Sequence, residues 1–131
     1  MTLTGRTIFP GKVRGEALVS KMGISFYGGV DPDTGIITEV DHDLHGQSMA
    51  GKVLVFPSGK GSTVGSYILY RLQKNGKAPL GIINVHCETI TAVGCIIAEI
   101  PCVDQVAINR IEPGMLLTIE AGQEHASIKL L

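Results

Sequence analysis

Two short apolar runs, Lys52-Val53-Leu54-Val55-Phe56 and Leu80-Gly81-Ile82-Ile83-Asn84-Val85, flank a segment with helical spacing, and this unit constrains the fold more than any other feature. Each run is strand-sized and nearly continuous in apolar residues, the pattern of a strand buried on both faces. Between them Val64, Ile68, Leu69 and Leu72 fall on one side of a helix predicted over residues 62–74. Arg71 and Lys74 occupy its last turn, where the helix dipole favours cations, and Gly76 follows as a stop. Strand, helix and strand in that order imply a parallel pair joined by a right-handed crossover.

Short elements are predicted around this unit. Strands are expected over 16–20, 24–27 and 36–40, with a turn at Asp31-Pro32-Asp33-Thr34-Gly35, where Pro presets one backbone angle and Gly accepts positive φ. A short helix is expected over 88–93 and a further strand over 95–98, ending before Pro101. Residues 114–120 and 126–130 read as a closing hairpin that turns at Ala121-Gly122. The sum is a mixed α/β fold in one domain spanning 1–131.

Charge and composition exclude several classes of function. Acidic and basic residues are interspersed to a net charge of -1, Trp is absent, and no basic stripe alternates with aromatics, so a nucleic-acid surface has little to build on. No run approaches the ~20 apolar residues of a membrane helix. No apolar leader stands between Arg6, Lys12 and Arg14, and Cys87, Cys95 and Cys102 lack Cys-x-x-Cys spacing. Reduced thiols in a cytoplasmic protein are therefore expected. Those cysteines, with His86 and Glu88 beside them, match no zinc or cluster spacing and read as small buried apolar side chains. His42, His45 and His125 lie in polar stretches and are expected to be solvated.

The segment with the most chemistry is Ser58-Gly59-Lys60-Gly61-Ser62-Thr63, between a buried strand and a helix start. Backbone N–H groups at such a start favour anions, and glycines permit close approach. Lys60 adds a full charge, while Ser62 and Thr63 offer hydroxyls. It is not a nucleotide-binding P-loop, because Gly61 separates Lys60 from Ser62. Locally two readings of Ser62 stand, a helix cap or a reactive hydroxyl. Ser25, Gly28 and Gly29 form a second candidate: two adjacent glycines suit either a tight turn or a substrate-facing backbone. Asp31 and Asp33 read as turn formers.

Four segments taken together resemble the small subunits of the aconitase X family. They are Gly15-Glu16-Ala17-Leu18-Val19-Ser20, Ile24-Ser25-Phe26-Tyr27-Gly28-Gly29-Val30-Asp31-Pro32-Asp33-Thr34-Gly35, Val53-Leu54-Val55-Phe56-Pro57-Ser58-Gly59-Lys60-Gly61-Ser62 and Glu99-Ile100-Pro101. The resemblance implies a swivelling β/β/α domain like the mobile last domain of aconitases. It implies a hydro-lyase active only with a larger partner subunit, whose iron–sulfur cluster acts as Lewis acid on the departing hydroxyl. It also implies Ser62 as the base that removes a proton from carbon, with Lys60, Gly61, Thr63, Ser25, Gly28 and Gly29 about a small anionic substrate. Lys60 either stabilises deprotonated Ser62 or binds that substrate. No metal or cofactor is expected on this chain itself.

Thr63 stands where many relatives have a second serine. Among the family's substrates mevalonate 5-phosphate is expected, giving an anhydromevalonate phosphate, with cis-3-hydroxyproline as the alternative. Residues 98–103 also resemble the phosphohistidine swivelling domain, but the Thr-Ser-His site of that domain is missing. A non-catalytic binding or regulatory domain is the remaining alternative.

Overall fold

The computed structural model describes residues 1–131. Seven strands close into one barrel: β1 (Thr2–Phe9), β2 (Gly11–Val19), β3 (Val53–Phe56), β4 (Gly81–Asn84), β5 (Cys102–Asp104), β6 (Leu116–Ala121) and β7 (His125–Leu130). Around the barrel the order is β1-β5-β4-β3-β2-β6-β7. The pairs β2–β3, β3–β4 and β4–β5 are parallel, and the remaining pairs are antiparallel. The helices are a single turn α1 (Phe26–Gly29), α2 (Gly65–Lys74) and α3 (Thr89–Ala98), with a 3-10 turn at Ile108–Arg110. The expected parallel pair is present as β3 and β4, with Val53 opposite Gly81 and Phe56 opposite Asn84. No helix is long and apolar enough to cross a membrane.

Alternation along β3 explains why its sequence is apolar throughout. Val53 and Val55 enter one cluster with Ile83, Val103, Leu117, Ile119 and Ile128, which fills the barrel. Leu54 and Phe56 point the other way into a second cluster with Ile68, Leu69 and Leu72 of α2 and Cys95 and Ala98 of α3. Successive strand residues face opposite sides, so each side of β3 has its own core. The long excursion between α1 and β3 closes over the second cluster with Ile37, Leu44 and Met49.

The structure departs from the sequence expectations at several elements. β1 was not expected at all. Its barrel-facing Gly5 leaves room for the Asp104 carbonyl, which a Cβ there would approach to 2.6 Å, so packing forbids the apolar residue that would have marked a strand. Residues 24–27 are not a strand: Ile24 makes one bridge to Gly59, and α1 begins at Phe26. The 36–40 run makes only isolated bridges, Val30 to Ile37 and Ile36 to Ser48. Thr89–Ala98 is one helix, where a break and a strand were expected. Helix α2 starts at Gly65, later than expected, and Val64 is exposed, while Ile68, Leu69 and Leu72 are buried.

The closing hairpin is present, with its turn at 122–124. At Asp31 the expected turn forms, the Asp31 carboxylate accepting from the Asp33 N–H at 2.9 Å.

Candidate functional site

Strand β3 ends at Phe56, and the chain must turn out of the sheet before α2 can begin. The Pro57 carbonyl accepts from the Val85 and His86 N–H groups at 3.0 and 3.2 Å, anchoring the loop to the end of β4. Ile24 then runs beside it: its N–H donates to the Ser58 carbonyl at 3.3 Å, and its carbonyl accepts from the Lys60 N–H at 2.9 Å. Gly59 lies against the Glu88 and Thr91 side chains, with no room for a Cβ between them. Glu88 is itself occupied, accepting from the Ile90 and Thr91 N–H groups at 2.7 Å to cap α3. The loop is thus set by β4, by the start of α3 and by the segment leading into α1.

Gly61 has φ +96°, and a side chain there would collide with the Ser25 hydroxyl. Ser25 in turn donates to the Tyr27 carbonyl at 2.9 Å, within α1. Gly28 has φ +88° and open space where a Cβ would stand, whereas Gly29 packs beside Ser25 and Glu39. The structure therefore brings Ser25, Gly28 and Gly29 to the same place as Lys60, Gly61, Ser62 and Thr63, two stretches far apart in sequence.

Ser62 is exposed, and its hydroxyl oxygen accepts from the Val64 N–H at 3.2 Å. Its carbonyl accepts from the Gly65 N–H at 3.0 Å, and that of Thr63 from the Ser66 N–H at 3.3 Å. Ser62 is in a cap-like turn just ahead of α2, with its O–H proton directed at no acceptor in the chain. The expectation of outward N–H groups needs a correction of register. Those of Val64, Gly65 and Ser66 are taken internally, while the three amides just before them, of Gly61, Ser62 and Thr63, have no acceptor. Three successive free N–H groups beside a lysine form an anion-favouring edge. Thr63 also borders a groove of about 450 Å³ between α2 and α3, lined by Tyr67, Ile90, Val93 and Ile97.

Glu39 completes the site and has no signal in the sequence. It arrives from the excursion before β3 and accepts from the Lys60 ammonium at 3.0 Å. No motif or spacing surrounds it, and only the fold brings it near the loop.

His42 corrects another expectation, because it is buried rather than solvated. Its Nδ1 lies 3.0 Å from the Leu44 N–H and 3.1 Å from the Asp43 carboxylate, and its Nε2 faces the Gly23 carbonyl at 3.0 Å. The ring is a strut under the segment that flanks the loop. His45 and His125 are exposed.

The cysteines do not fit the iron–sulfur cluster that the resemblance implies. All three are free and buried, and Cys87 and Cys102 face each other at 3.8 Å between sulfurs. The hydrogen bond to Cys102 pushes the Cys87 thiol up, and burial adds to the rise. Cluster ligands are thiolates, the form this environment disfavours. No three His, Cys, Asp or Glu side chains converge as a metal site.

Comparison with known proteins covers nearly the whole chain. A family model described as the aconitase X swivel domain matches residues 2–128. The phosphomevalonate dehydratase small subunit of Thermococcus kodakarensis is 52% identical over 128 residues, covering 98% of this chain and 96% of that protein. The crystal structure of Thermococcus kodakaraensis aconitase X in its holo-form superposes with a TM-score of 0.94 at 51% identity, covering 98% of both chains. A UPF0107 protein solved in solution by NMR superposes with a TM-score of 0.88 at 46% identity, covering 100% of this chain and 99% of that one.

Proposed function

The chain belongs to the aconitase X swivel-domain family, and from that premise we propose that it is the small subunit of a phosphomevalonate dehydratase. In this reading it works in the cytoplasm with a larger subunit to eliminate water from mevalonate 5-phosphate, giving an anhydromevalonate phosphate. The observation that carries the proposal is exposed Ser62 among the acceptor-free amides of Gly61, Ser62 and Thr63, with Lys60 beside them. Relatives named phosphomevalonate dehydratase small subunit, matched over nearly the full length, support the choice of substrate.

A serine hydroxyl is a poor base in water, so its deprotonated form needs donors around it. The free amides and the Lys60 ammonium are such donors once solvent is excluded. Ser62 then takes the proton from the substrate carbon, and the same edge receives the anionic end of the substrate. Ser25 and the Gly28–Gly29 turn form the facing wall. Ser62 is open to water in this chain alone, and the larger subunit supplies the cover. That subunit also holds the iron–sulfur cluster in this reading, since the thiols here are unsuited to it. Three free thiols suit a reducing compartment.

The test is reconstitution. The isolated chain should be inactive, and adding its larger subunit should start water elimination from mevalonate 5-phosphate. Ser62→Ala in the assembled enzyme should lower kcat by about 10²–10⁴-fold, the range of a general base. Turnover by the isolated chain would refute the two-subunit reading, and near-normal kcat in Ser62→Ala would remove the base. Turnover of cis-3-hydroxyproline in place of mevalonate 5-phosphate would reassign the substrate.

A further inference from the structure

The Lys60 ammonium is not free, because the Glu39 carboxylate holds it at 3.0 Å. The Glu39 side chain is the more enclosed partner, 26% exposed against 48% for Lys60. Its backbone is pinned from both sides. The Glu39 N–H donates to the Gly29 carbonyl at 3.3 Å, and its carbonyl accepts from the His42 N–H at 3.4 Å and faces His45 Nδ1 at 3.0 Å. The second carboxylate oxygen lies 3.2 Å from where a Cβ of Gly29 would stand, so a larger residue there would press on it. Glu39 is therefore the more enclosed member of the pair, on a backbone held at Gly29 and His42.

An incoming anion at the Gly61–Thr63 amides meets a lysine that is already neutralised. We propose that Glu39 is a positioning residue, the resident counter-ion of Lys60, which draws the ammonium to itself at 3.0 Å and yields it to the anionic group of the substrate. The exchange balances in charge: the Lys60–Glu39 pair opens, and a Lys60–phosphate pair replaces it. The proposal rests on the functional reading above only in naming the phosphorylated substrate. Its chemistry requires just an anion of phosphate type.

Removing the charge of Glu39 should strengthen anion binding, the reverse of what damage to the site would do. The isolated chain, titrated with inorganic phosphate and followed by NMR at the Gly61, Ser62 and Thr63 amides, tests this directly. Glu39→Gln should tighten phosphate by about two- to fivefold, the range that an exposed ion pair commands. Lys60→Met should weaken it, and the double variant should match Lys60→Met alone. Glu39→Asp, which keeps the charge, should stay near the unaltered chain.

In the assembled enzyme, Glu39→Gln should lower KM for mevalonate 5-phosphate without raising kcat. Phosphate binding that is absent, unchanged or weaker in Glu39→Gln would overturn the proposal, as would tightening that persists without Lys60. If the assembled pair leaves mevalonate 5-phosphate untouched, the functional reading fails while the phosphate titration still decides the role of Glu39.

Discussion

Gly61 shows how much of the site rests on one missing methyl group. Its φ of +96° lies where other residues are strained, and the space for a Cβ is taken by the Ser25 hydroxyl. Gly61→Ala therefore meets a backbone penalty and a collision together. Stability should fall by more than the ~1–2 kcal/mol of the backbone penalty alone, seen as a lower melting temperature, and turnover of the assembled enzyme should fall with it. Gly28 separates the two effects, since it has φ +88° but open space around it. An alanine at Gly28 should meet the backbone penalty alone, and equal losses at both positions would show that the contact with Ser25 is idle. The place of Lys60, Gly61 and Ser62 ahead of a helix was legible in the sequence, because a helix start with glycines and hydroxyls has a local chemical signature. Glu39 was not, since its role comes only from where the long excursion folds.

Helix α3 shows where local propensity was overruled. Its Ile90, Thr91, Val93, Ile96 and Ile97 are β-branched and Gly94 stands in its middle, which is why a break and a strand were expected there. Gly94 is the site of closest approach to α2: a Cβ would strike the Leu69 side chain. The helix exists because it packs, not because its residues favour it. Its start is held by Glu88, which accepts two N–H groups and lies against Gly59. Glu88→Ala should lower stability by about 0.5–2 kcal/mol, read as a lower denaturant midpoint with the slope unchanged. An unchanged midpoint would mean that the cap contributes nothing. By contrast β3, α2, β4 and the closing hairpin were readable, because their apolar spacing coincides with the faces they bury.

Across the whole molecule, one ion pair ties the first strand to the far side of the chain. Arg6 on β1 donates to both oxygens of Asp104 at the end of β5, at 2.9 and 2.7 Å, and the Cys87 N–H adds a third bond at 3.0 Å. Burial would raise the Asp104 carboxyl, but the bonds from Arg6 and from the Cys87 amide outweigh it and hold the group below the usual carboxylate range. A carboxyl lowered by folding stabilises above its unfolded value of about 3.9. That contribution fades as pH falls through the lower folded value.

Asp104→Asn should therefore lower stability at neutral pH and make its decline in acid shallower. Denaturant titrations from pH 6 down to the acid transition would show this, and parallel curves for the two chains would contradict it. Nothing in the sequence pairs residues so far apart. The barrel was not foreseen either, since its closure depends on β1, which has glycine at its tightest point.

Closure of that barrel decides how another chain can recognise this one. Many proteins associate by laying a strand along the bare flank of a sheet, so that backbone pairs with backbone whatever the side chains. Here every strand has a neighbour on each flank along part of its length, which leaves no full bare edge for that route. A joining subunit would have to read side chains and loops instead, such as the exposed Val93, Ile96 and Ile97 on the outer face of α3. Assembly then becomes a matter of surface complementarity, which point substitutions on that face can tune without disturbing the sheet beneath.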